Sequence, residues 1–173
     1  MRPRPRDEWR IHEGRTEDST RQGQSGGTNL GDSGVMPRDE PIRKISFYTK
    51  PVDNYLTGFD FHENDYRVSR RPTNPGPQNH ASFELEKGEY ITKVIFYYPD
   101  TTASGVELFT QNGRQASFGD IRGTQSVHEG AQLAGFAGNI GWKFDKVWCV
   151  WENQPLAGEN CICILCVAYF SFC

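Results

Sequence analysis

Apolar residues along this chain fall in short runs and not in broad stripes. From Ile42 onward, "IRKISFYT", "YLTGFDF", "ASFELE", "YITKVIFYY", "GVELFTQ", "QASFG" and "KVWCVW" are separated by turn residues. Within "SFELEKGEY", Phe83 and Leu85 alternate with Glu84 and Glu86, the period of two that a strand with one buried face requires. "GVELFTQNGRQASFG" sets Asn112-Gly113 between two strand-like arms, the turn chemistry of a tight β-hairpin. No window carries a convincing apolar stripe at helical spacing. Short strands with regular turn punctuation predict an all-β barrel, sandwich or prism.

A weak internal repeat narrows that choice. "TKPVDNYLTGF" from Thr49, "GEYITKVIFYY" from Gly88 and "GWKFDKVWCVW" from Gly141 each begin with a turn and run into an alternating strand. Their fifth positions are Asp53, Thr92 and Asp145, and their seventh are Tyr55, Val94 and Val147. Their last positions, Phe59, Tyr98 and Trp151, are all aromatic. Three related β-units imply three small sheets around a pseudo-threefold axis.

Composition separates the ends from the middle. Residues 1–40 hold seven Arg, eight Asp or Glu and six Gly, with Trp9 as the single aromatic residue. So little apolar surface cannot offset the entropy of ordering, and the segment is expected to be a disordered arm, with a candidate glycine loop at 26–34. The net charge of −3 is mixed along the chain, which argues against an electrostatic grip on nucleic acid. All five cysteines lie at or beyond position 149, so no disulfide framework is expected in the body. The first twenty residues contain no apolar run, no stretch is long enough to span a membrane, and no Asn-x-Ser/Thr sequon occurs. These features lead to the expectation of a cytoplasmic protein, with secretion by a non-standard route left open.

"FELEKGEYITKVIFYY", "GVELFTQNGRQASFG" and "GFAGNIGWKFDKVWCVW", in that order, resemble the jacalin-related lectins. The resemblance covers residues 42–151, taken as the domain. It implies a β-prism of three four-stranded Greek-key sheets and reversible, non-catalytic binding of mannose- or glucose-type sugars. By that resemblance the site comprises Gly27, Gly141, Trp142, Lys143 and Asp145, and the loop Pro99–Gly105 tunes specificity. The chemistry fits the residue types. Gly141 frees the turn from a Cβ, the amides of Trp142 and Lys143 can serve as donors, and the Asp145 carboxylate can accept from two neighbouring hydroxyls. As a bare motif, "GWKFD" reads equally as a hairpin turn whose aspartate bonds nearby amides. Trp142 suits either stacking on the sugar or covering the edge of the core, whereas Trp148 and Trp151 suit the core. In the first repeat, Thr49 replaces glycine and Pro51 removes an amide donor, so a second site there is not expected.

No cofactor or metal is expected, because His12, His62, His80 and His128 are unpaired by spacing. "GDSG" at 31–34 has the form of a protease nucleophile turn but lacks the large double barrel that such chemistry needs. The expected partners are mono- or oligosaccharides and glycoproteins, bound by an oligomer if avidity is to be useful. The alternative is a sugar-inactive interaction module on the same prism. "CICILCVAYFSFC", within an apolar tail at 152–173, is surplus to such a domain and is expected not to belong to it.

Overall fold

The computed structural model describes residues 15–17, 28–29, 34–37, 40–72, 76–140 and 143–156. These form an all-β chain of antiparallel sheets, as the short alternating runs predict. The first sheet contains β3 (Lys44–Thr49), β4 (Leu56–Glu63), β5 (Tyr66–Arg70) and β6 (Asn79–Glu84), in the order β5-β4-β3-β6. The second contains β7 (Ile91–Tyr98), β8 (Gly105–Thr110), β9 (Gln115–Gly119) and β10 (Thr124–Glu129), in the order β10-β7-β8-β9. In both, three successive strands pair as hairpins and the fourth returns beside the first. The third sheet is built on the long hairpin of β11 (Gln132–Ile140) and β12 (Phe144–Glu152). The short β1 (Arg15–Glu17) pairs with β12, and β2 (Thr28–Asn29) pairs with β11.

β1 and β2 lie within residues 1–40, the segment expected to be mostly a disordered arm with a candidate glycine loop at 26–34; the greater part of it lies outside the described residues. Strand pairing uses main-chain groups, so a segment too polar to build a core can still complete a sheet whose neighbours supply the apolar face. Gly34–Met36 extends the same edge, with Val35 bridging Gly135 and the Met36 amide donating to the Ala134 carbonyl at 3.0 Å. At the other end, Glu152 still belongs to β12, and the Leu156 amide donates to Gln132 Oε1 at 2.7 Å. Residues 157–173, including the Cys-rich run, lie outside the described residues, as do Asp32 and Ser33 of "GDSG".

The hairpin predicted at Asn112-Gly113 joins β8 to β9. Gly113 has φ +82°, its amide donates to Thr110 O at 3.1 Å, and the Thr110 amide donates to Arg114 O at 2.9 Å. The last repeat positions, Phe59, Tyr98 and Trp151, are all buried in one core. Trp148 is buried as expected, in a second, smaller core cluster with Ala134, Ala137, Val150 and Val35, because it alternates with Val147 and Cys149, which face the main core.

All three sheets contribute phenylalanines to that core. Phe136 of β11 sits 5.2 Å from Phe59, 5.1 Å from Phe61, 6.0 Å from Phe47 and 5.3 Å from Phe96, ring centre to ring centre. Phe144, the residue before Asp145, meets Phe59 edge-on at 5.9 Å. Phe136→Ala removes contacts to two other sheets at once and leaves a cavity. It is expected to lower the unfolding free energy by about 3–5 kcal/mol in urea denaturation. Ile121→Ala, at a position 44% exposed, serves as the near-neutral control.

Candidate functional site

The turns of the three repeat units are chemically different. In the first, the Asp53 carboxylate is engaged by Lys50 Nζ at 2.8 Å. The chain there closes on itself, the Lys50 amide donating to Tyr55 O at 3.0 Å and the Asn54 amide to Lys50 O at 2.9 Å. In the middle unit a side chain fills the turn: Gln111 accepts from the Tyr90 amide and donates to Gly88 O, both at 2.9 Å. Buried Glu89 beside it accepts from the Glu86 amide at 2.8 Å and from Arg114 Nη1 at 2.6 Å. Burial alone would push the Glu89 carboxyl up, but these donors outweigh it and hold it below the usual range.

The third turn contains an acceptor without such a partner. Asp145, at the start of β12, is only 6% exposed, and no donor among the described residues bonds its carboxylate. Burial pushes its carboxyl above the usual range, and the Lys143 ammonium partly opposes this. Of the other residues expected at the site, Gly141, Trp142 and Gly27 lie outside the described residues. Their chain neighbours are placed, however: Thr28, directly after Gly27, is the register partner of Ile140, directly before Gly141. The hairpin below the turn depends on Gly138. Its φ is +131°, and a Cβ at that position would stand 2.0 Å from Lys146 O, so there is no room for a side chain.

Two further segments converge here. The loop from Pro99 to Gly105 lies between the starts of β4 and β12: Ala103 donates to Phe144 O at 3.1 Å and accepts from the Leu56 amide at 3.0 Å. Within it, Asp100 accepts from the Thr102 amide at 2.7 Å and from the Tyr55 hydroxyl at 3.0 Å. Lys143 Nζ in turn stands 5.1 Å from the centre of the Tyr55 ring. The repeat alignment grouped Tyr55 with buried Val94 and Val147, but it is half-buried and faces Lys143. The sequence signal for its role was the polar loop at 99–105, which identifies neither Tyr55 nor Asp100 individually.

Against this geometry, the model of the jacalin-like lectin domain family matches residues 19–147. The chain belongs to that family. Family members are non-catalytic carbohydrate-binding domains. The match begins between β1 and β2, and so takes in β2 of the third sheet. Solved structures with a similar fold include the mannose-binding lectin from Champedak, with 22% identity and a TM-score of 0.61 over 80% of this chain and 96% of that one. Artocarpin in complex with mannotriose is 21% identical, with a TM-score of 0.61 over 79% and 97%. Calystegia sepium agglutinin is 17% identical, with a TM-score of 0.64 over 79% and 95%. At these identities the likeness concerns the fold. No curated protein sequence matches the chain.

The buried carboxylate makes a stability prediction. Because its folded-state value is raised, Asp145 contributes stability that is full below its unfolded value and is lost as pH rises through the raised one. Asp145→Asn removes that dependence. Its melting temperature should exceed that of the wild type at about pH 7, with the gap closing at about pH 3.5. A gap of the same size at both values contradicts the burial account.

Proposed function

We propose that this domain is a lectin that binds mannose- or glucose-type sugars reversibly at the Gly141–Asp145 turn. The observation that carries the reading is the contrast among the three turns. Asp53 is neutralised by Lys50 and the middle turn is filled by Gln111, whereas the buried Asp145 carboxylate has no donor among the described residues. A carboxylate in that state suits two hydroxyls of one sugar ring, which donate to it and replace the water it has lost. The amides of Trp142 and Lys143 act as donors to the same ring, and Gly27, which precedes the β2 residue Thr28 paired with Ile140, completes the proposed site. The sheets, each in Greek-key order, form a β-prism with pseudo-threefold symmetry, and the site lies at one end of it. A single site of this kind binds weakly, on the order of millimolar, so an oligomer would supply avidity.

The closure of two of the three turns favours a second reading, in which the prism serves only as an interaction module. A glycan array probed with the full chain and with Asp145→Ala separates the two. Binding to mannosides or glucosides should fall by more than about thirtyfold in the variant, as two charge-assisted hydrogen bonds are removed. A folded wild-type chain that binds no glycan would establish the interaction module instead.

A further inference from the structure

The same turn contains a device for keeping its acceptor charged, an inference that rests on the carbohydrate reading above. An aspartate buried to this degree tends to take up a proton, and a protonated carboxyl is a poorer acceptor for sugar hydroxyls. Lys146 follows Asp145 directly and Lys143 precedes it by two residues; it is Lys143 whose charge opposes the burial, on a flexible stem whose charge would be averaged through solvent unless it were seated. Here it is seated. Its Nζ lies 5.1 Å from the centre of the Tyr55 ring, within the range of a cation–π contact. Tyr55 is held in turn by its hydroxyl on Asp100, and Asp100 is fixed by the Thr102 amide. Main-chain bonds tie these segments together: Ala103 bonds Phe144 O, between Lys143 and Asp145, and Leu56, next to Tyr55.

The other charges at this end are already committed or lie further along the strand. Asp53 is paired with Lys50, Asp100 is bonded by Tyr55 and Thr102, and Lys146 follows Asp145 on β12. We propose that Lys143 is a positioning residue: its ammonium, seated on the Tyr55 ring that Asp100 locks, keeps the Asp145 carboxylate in the acceptor form that a sugar hydroxyl needs. Three loops distant in sequence thus set the acid limit of the site.

Two titrations of the full chain test this. One follows the Asp145 carboxyl carbon by NMR without ligand, and the other follows affinity for methyl α-mannoside. Lys143→Met keeps the stem and removes the charge, and Lys143→Gln is the second variant should Met disturb folding. In either, the Asp145 midpoint should rise by roughly half to one pH unit. Tyr55→Leu, which keeps the lysine and removes its seat, should move the midpoint the same way by less. Affinity lost on removing the charge should be greater at about pH 5 than at about pH 8. An unmoved midpoint overturns the proposal, and so does an equal loss at every pH, which would mean that the ammonium contacts the sugar directly. A raised midpoint in a chain that binds no sugar keeps the brace and rejects the carbohydrate reading.

Discussion

The position of every loop at the candidate site depends on one aromatic junction. Phe136 meets Phe47, Phe59 and Phe61 of the first sheet and Phe96 of the second. Sheets of few strands have little area of their own to bury, so none is stable except against the others. Tilted and edge-on rings fill the space between the three inner faces, which flat stacking would not. Phe144 extends the junction to the first residue of β12 through Phe59. Asp145 follows directly, where β12 shifts register against β11, and so the acceptor is carried on a strand anchored one residue away.

Given that frame, the turns are free to differ, and their differences are local. A main-chain turn always offers polar groups, and something must satisfy them. Lys50 does so for Asp53 in the first unit, and Gln111 and Arg114 do so in the second. These closures stabilise their own hairpins by engaging groups that a ligand could otherwise bond. The third turn departs from this pattern in the charge state of its aspartate, which burial opposes and Lys143 supports. A repeat protein can in this way retain three copies of a scaffold and specialise one.

Much of the fold was legible because the core-facing strands have strong alternation. β7 and β12 were visible as apolar runs, and the β8–β9 hairpin was visible in Asn112-Gly113. β5, β10 and β11 were not picked out, for two reasons. β5 and β10 are edge strands rich in exposed polar residues, and β11 ("QLAGFAGNI") reads as a glycine-rich loop until its pairing with β12 is seen. β1 left no signal, and β2 only the glycine-rich stretch at 26–34, because strands that complete a sheet through main-chain pairing need no apolar run. At the site, Asp145 and Lys143 were legible through one motif. Tyr55 and Asp100 were not, since a contact across 45 residues has no local signature.

Asp145 also shows why a site of this kind resists simplification. Burying a carboxylate without donors works against folding, and an amide of the same shape would satisfy the turn with less strain on the free protein. The surrounding fold absorbs that penalty through its aromatic core, which Phe144 and Val147 of the same strand join. What the chain retains in exchange is an acceptor stripped of competing water before any ligand arrives, so that less desolvation remains to be done on binding. The cation on Tyr55 makes that arrangement tolerable near neutral pH, because it offsets part of the burial without occupying the carboxylate's hydrogen-bonding positions. Lys50 does the reverse at Asp53: it bonds the carboxylate directly and thereby closes the turn. The difference between the closed first turn and the open third turn is therefore a matter of where the lysine is seated.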